Sequence, residues 1–307
     1  MQATANVDGV VTPAKEAKIS ILDRGFQYGD SVYEVTRTYD GVPFFHDEHF
    51  DRLENSARLA RMKISQSRQF LNDEILRTVK ASGAKKGEDV FIRYTISRGV
   101  GPLDLDPATA TKTSYVILVK EIPPWNPEFY RTGMTLAVPE TVRNSPRALD
   151  PNIKCGNYLN NVLAVAEAKE LGGDDALMLS IDGKLTEASN SNVVFIIDGE
   201  IRTPKHEPRT NTGNLRGLTR TLVGQLAERA GIRYAEVPLF PRDVERATEC
   251  FVSSATREVM PVKAILLPGG KRQAFPDGGG QVTKKIQEAY AKYVKEYVEQ
   301  RRETAWL

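Results

Sequence analysis

The sequence predicts an α+β fold, and three observations carry that prediction. Four of the Asp-Gly dipeptides, at 8–9, 40–41, 182–183 and 198–199, stand beside strand-like runs. Asp-Gly between alternating apolar runs is the strongest short-range sign of a β-hairpin. Segments with apolar residues at helical spacing are interleaved with these hairpins, as in mixed antiparallel folds. Finally, 307 residues, 40 % hydrophobic and 27 % charged, give room for two domains or one large α/β domain.

The elements follow in chain order. Residues 32–39 pair with 42–45 across Asp40-Gly41. Residues 46–61 form a helix with Phe50, Leu53, Ala57 and Ala60 on one face. A strand at 114–120 ends a small N-terminal domain, 1–120. Residues 121–132 are its linker to a larger domain, 133–307, because Pro123, Pro124 and Pro127 oppose a regular element there. A helix at 157–171, capped by Asn157 and ended by Gly172, aligns Leu159, Val162, Leu163 and Ala166. Residues 176–181 with 184–187, and 193–197 with 200–203, make two more hairpins. Residues 218–230 form a helix with Leu218, Leu222 and Leu226 in line, and 282–302 a charged surface helix.

Charge and composition exclude several function classes. Lys+Arg 42 against Asp+Glu 40 gives a net charge of +2 with both signs interspersed. A nucleic-acid or membrane-surface partner would call for a concentrated basic patch. Two cysteines cannot build a disulfide framework, and His46, His49 and His206 make no spaced metal motif, so no metal is expected. The N-terminus has no apolar signal core and no run reaches spanning length, so a soluble cytoplasmic protein is expected.

Three polar clusters point to chemistry. Lys154 precedes Cys155-Gly156 and an Asn/Tyr-rich helix start, where positive backbone potential and partial burial favour a nucleophilic amine fit for a Schiff base. Glu187 ends a strand before the small polar loop 188–192, where a carboxylate needs a cationic partner such as a protonated pyridine. Residues 214–220 open a helix whose first N–H groups can grip an anion, with Arg52 as a bidentate partner and 253–256 as a hydroxyl-bearing turn. Each piece alone also fits an ordinary surface residue.

Together the clusters resemble the class IV aminotransferases, the fold-type IV pyridoxal phosphate family. That family includes branched-chain aminotransferases, D-amino acid transaminases and aminodeoxychorismate lyases. The resemblance runs from about residue 7 to 262, and its motifs come in the family's order. They are YGDSVYE (28–34), HxxRL (49–53), IKxGNYLNN (153–161), TEASxSN (186–192), GLTR (217–220) and SSATxEVxPV (253–262). It implies a small α/β domain and a larger one with an antiparallel, barrel-like core, pyridoxal 5′-phosphate as cofactor, and a homodimer. It also implies roles. Lys154 is the Schiff-base lysine and proton shuttle, Glu187 the partner of the pyridine nitrogen, and Tyr158 that of the phenolic oxygen. Arg52, Leu218, Thr219, Ser254 and Ala255 form the phosphate cup. Ala255 stands where the family commonly has Thr, and Thr256 follows one place later.

For the substrate, an amino donor and a 2-oxo acid acceptor, the resemblance divides. Tyr33, Val35 and Arg37 occupy the branched-chain motif Tyr/Phe-Glu-Gly-x-Arg, with Val35 in place of Gly as in D-amino acid transaminases. Phe91 and Arg93 follow the branched-chain pattern, and Leu103 stands near the Arg that traps a carboxylate in the D-group. The expectation is an L-amino acid transaminase of branched-chain type with an apolar wall. A D-amino acid or (R)-amine transaminase, a lyase, and a cofactor-binding regulatory module are the alternatives.

Overall fold

The computed structural model describes residues 1–122, 124–206 and 213–307. They gather into two units: 1–122, 153–157 and 294–307 in the first, and 124–152, 158–206 and 213–293 in the second. The segment around Lys154 and the chain end thus join the N-terminal unit, interrupting the 133–307 stretch twice.

The first unit is built on six antiparallel strands: β1 (Thr4–Val7), β2 (Val10–Pro13), β3 (Ser31–Tyr39), β4 (Val42–Pro43), β5 (Val90–Ser97) and β6 (Ser114–Glu121). Their order is β2-β1-β6-β5-β3-β4. Helices α1 (Arg24–Tyr28), α2 (His46–Leu59) and α3 (Arg68–Ala81) complete it. One face of each long strand is sealed: Val32 in β3, Ile92 and Ile96 in β5 and Ile117 in β6 are all 0 % exposed. They pack with Phe50 and Leu53 of α2 and Ile75 and Val79 of α3. Each such side chain contributes roughly 1.5–3 kcal/mol relative to exposure. The Asp-Gly turns are as the dipeptide demands. Asp8 (φ 48°) with Gly9 (94°) and Asp40 (49°) with Gly41 (76°) both take positive φ. That matches the right-handed twist of the flanking strands.

The second unit carries a nine-stranded sheet: β7 (Met134–Ala137), β8 (Asp175–Leu179), β9 (Leu185–Ala188), β10 (Asn192–Ile197), β11 (Glu200–Pro204), β12 (Tyr234–Val237), β13 (Ala247–Ser254), β14 (Glu258–Leu267) and β15 (Lys271–Ala274). Its path is β12-β11-β10-β13-β14-β7-β8-β9, with β15 on β14. The sheet is mixed, since β7–β8, β7–β14 and β11–β12 are parallel. Helices α4 (Pro127–Arg131), α5 (Leu159–Glu170), α6 (Leu218–Arg229) and α7 (Pro241–Val244) belong to this unit. The helix α8 (Gln281–Gln300) runs from it into the first. Two parallel pairs are spanned by helices, β7 to β8 by α5 and β11 to β12 by α6, as parallel strands require.

Two expectations are corrected. The 121–132 segment holds a helix, α4, with Pro127 at its first turn and the Asn126 side chain accepting from Glu128 N at 3.0 Å. Proline is tolerated there because that N–H has no helical partner. Pro123 lies outside the described residues. In addition, α5 starts at Leu159, with Tyr158 rather than Asn157 at the N-cap and no side-chain cap. Its inner face is Asn161, Ala164 and Ala168, while Leu159 and Val162 are 67 % and 59 % exposed. The alanines meet Ala137, Ala176 and Met178 of the sheet, so small side chains decided the helix's inner face.

Candidate active site

In the first unit, Lys154 is held by its backbone. Its N–H donates to Ser56 Oγ at 3.2 Å. Its carbonyl accepts from Tyr33 N at 2.9 Å, and Gly156 N donates to Ser31 O at 2.9 Å. A Cβ on Gly156 would overlap Ser31 Oγ and force that hydroxyl to rotate away. Lys154 therefore lies beside β3, and in sequence it precedes α5 by about a turn, as expected. Its amine finds Tyr33: Nζ donates to the hydroxyl at 3.2 Å and lies 4.4 Å from the ring centroid.

The residues expected to form the substrate wall share one face of β3 and β5. The register sets Tyr33 opposite Thr95, Val35 opposite Arg93 and Arg37 opposite Phe91. This face is more cationic than an apolar wall. The Arg93 guanidinium lies 3.8 Å from the Tyr33 ring centroid and Lys120 Nζ 5.2 Å from that of Phe91. Arg37 covers Tyr39 at 4.0 Å and pairs with Asp89 at 3.5 Å.

Arg52 belongs to a buried cluster that sequence reading did not assemble. Glu34, 0 % exposed, accepts from Arg52 Nε at 2.6 Å and Nη2 at 2.8 Å. His49 Nδ1 lies 2.7 Å from Glu34 Oε2. Burial alone would raise the Glu34 carboxyl, but Arg52 and His49 outweigh it and hold it well below the ordinary carboxylate range. Burial also lowers His49 despite Glu34's pull, so the neutral ring donates Nδ1–H. The signal was available in the alternation of β3. Glu34 falls at a sealed parity with Val32 and Thr36, where a charge demands a partner.

The second unit holds the other expected residues. Glu187, in β9, is 6 % exposed. Its Oε2 accepts from Leu215 N at 3.0 Å and from Asn192 Nδ2 at 3.4 Å. Arg143 Nη2 lies 3.4 Å from Oε1. Arg143, unforeseen from sequence, also donates to Asn161 Oδ1 and Gly213 O, both at 3.2 Å. Tyr158 stands at the head of α5. Leu218 and Thr219 form the first turn of α6, whose N-cap, Gly217, offers no side-chain cap. A Cβ on Gly217 would overlap Asn192 Oδ1. Ser254 Oγ accepts from Arg257 N at 3.2 Å. Ala255 and Thr256 turn the chain into β14, with Thr256 O accepting from Trp125 Nε1 at 3.0 Å. The buried Ser253 Oγ has no hydrogen-bond partner among the described residues.

The model of the amino-transferase class IV family matches residues 31–265. The chain belongs to the class IV aminotransferases. This class IV chain is 34 % identical over 285 residues to a putative branched-chain-amino-acid aminotransferase of Methanocaldococcus jannaschii, covering 92 % of itself and 94 % of that protein. It is also similar to the solved Escherichia coli branched-chain amino acid aminotransferase, with TM-score 0.84, 27 % identity and 94 % and 93 % of the two chains covered. A branched-chain amino acid aminotransferase from T.th., solved with pyridoxamine 5′-phosphate, matches at TM-score 0.83 and 29 % identity, over 96 % and 94 % of the chains. The fold is the fold-type IV architecture of these enzymes. Among the described residues no His, Cys, Asp and Glu group suits a metal ion, and no helix is long and apolar enough to cross a membrane.

Proposed function

We propose that this aminotransferase uses pyridoxal 5′-phosphate to move the amino group of a branched-chain-like L-amino acid to 2-oxoglutarate. The observation that carries this reading is Lys154, its backbone fixed to Tyr33 and its amine on the Tyr33 hydroxyl, inside the family's lysine motif. The remaining residues suit the cofactor's other ends. Glu187 is a buried acid for a pyridine nitrogen, and α6 opens with no side-chain cap, as an anion site needs.

When bound, the cofactor supplies a conjugated ring that takes up the electron pair released at the substrate α-carbon. Lys154 Nζ would anchor the cofactor and, freed when the donor's amine takes its place, would carry the α-proton between the donor's α-carbon and the cofactor. Glu187, with Arg143 at 3.4 Å, would face the ring nitrogen and support its protonated form. Tyr158 would hydrogen-bond the phenolic oxygen. By the family's pattern, Arg52, the N–H groups of Leu218 and Thr219, and the turn at Ser254, Ala255 and Thr256 would hold the phosphate. Ala255 contributes backbone alone.

Tyr33, Val35 and Phe91 line the substrate's side chain, and Arg37 and Arg93 meet carboxylates. Burying a leucine-sized side chain contributes roughly 1.5–3 kcal/mol, about a ten- to hundredfold preference over alanine. A second reading, a D-amino acid or (R)-amine donor, draws on Val35 and on the cations over Tyr33 and Phe91. Initial rates decide: L-leucine with 2-oxoglutarate should outpace D-alanine, and the reverse order favours the second reading.

We also propose a homodimer. Phe26, Ile21, Leu103 and Leu105 are 64 %, 73 %, 68 % and 77 % exposed in the first unit. Apolar surface of this extent is best covered by a second copy. Light scattering should give twice 34.1 kDa, and a monomer mass at working concentration would refute it.

A further inference from the structure

We propose that Glu34 and His49 are positioning residues that orient the Arg52 guanidinium for the phosphate of the cofactor. This rests on the cofactor reading above and extends it to two side chains that touch no ligand themselves. β3 alternates, so Glu34 turns toward α2 together with Val32 and Thr36, all 0 % exposed. On α2, His49 and Arg52 are three residues apart and meet on one face. Glu34 joins them. Its Oε1 accepts from Arg52 Nε, and its Oε2 accepts from both Arg52 Nη2 and His49 Nδ1.

Pairing through Nε and Nη2 fixes the plane of the guanidinium, which a single contact would leave free to rotate. The arginine is then ordered before any anion arrives, and binding need not order it. The pair is also neutral overall, and His49 is uncharged. What Arg52 offers an anion is therefore direction rather than net charge. Stability does not explain such a cluster, since well-packed apolar residues commonly serve a buried site as well as an ion pair does. Orientation does explain it: each of the three contacts restrains the same guanidinium, directly or through Glu34.

The test compares affinities of the full-length apoenzyme for pyridoxal 5′-phosphate and for pyridoxal, which lacks the phosphate, read by quenching of tryptophan fluorescence. The proposal predicts that Glu34→Gln lowers the ratio of the two affinities about tenfold while pyridoxal itself binds nearly as before. A ratio unchanged from wild type, with both ligands weakened equally or not at all, overturns it and leaves Glu34 a structural residue. His49→Gln, which keeps the ion pair, carries the same test if Glu34→Gln does not fold. A fall of about threefold in the ratio is expected, and no change overturns the proposal. Failure of the cofactor reading looks different: the wild-type protein itself would not favour the phosphorylated ligand.

Discussion

Glu34 in the first unit and Glu187 in the second are both buried carboxylates, and they are held differently. Glu34 is 0 % exposed, with Arg52 and His49 at 2.6–2.8 Å. Glu187 is 6 % exposed, with Arg143 and Asn192 at 3.4 Å and the Leu215 N–H at 3.0 Å. Short contacts to a fully sealed acid make a clamp, in which the carboxylate is committed to its neighbours. Glu187 is instead shared among a guanidinium, an amide side chain and a backbone N–H from three separate segments of the second unit. Burial alone therefore does not mark a catalytic acid. The proposed roles of the two acids differ, and so do the partners described for each.

Removing the two acids should break this comparison if it is wrong. Glu34→Ala leaves Arg52 in a buried site without its counter-charge, a loss of about 3–5 kcal/mol in chemical denaturation. Glu187→Gln keeps shape and most hydrogen bonds, so its midpoint should stay near wild type while the transamination rate falls about 10²–10³-fold. Equal stability losses, or a near-normal rate in Glu187→Gln, would erase the distinction.

Acid sharpens it by a smaller amount. Burial lowers His46 to about 4, against the hydrogen bond to Asn72, and lowers the neighbouring His49 as well. The folded state therefore keeps these rings neutral while the unfolded chain takes up protons below its ordinary 6.5. The stability they contribute is full above about pH 6.5 and is lost as pH falls toward about 4. For His46 alone this is on the order of 2–3 kcal/mol. Glu34, also lowered, loses its contribution only below the ordinary carboxylate range. Denaturation midpoints falling between about pH 6.5 and 4 are expected, and a flat profile there would mean the histidines are solvated.

Local chemistry made much of this legible. The Asp-Gly turns, α2 and α6 stand within a residue or two of where spacing placed them, because each follows from turn or helix periodicity nearby in the chain. The errors came from distant partners. The apolar stripe of α5 pointed to Leu159 and Val162 as its inner face, yet its alanines won because the sheet approaches closely there. The place of Lys154 ahead of a helix was legible, but nothing local reveals that its backbone pairs with β3. Arg143 escaped notice because it lies 44 residues from Glu187 in sequence. Glu34 lies within the motif 28–34, and its charge at a sealed strand position already demands a partner.

The central claim is that Lys154 carries the reacting amine. The most direct measurement is borohydride reduction of the protein loaded with pyridoxal 5′-phosphate, followed by proteolysis and mass spectrometry of the peptides. The account predicts one phosphopyridoxyl group per chain, on Lys154, and none in Lys154→Ala. Stoichiometric labelling of another lysine, or equal labelling in Lys154→Ala, would contradict it.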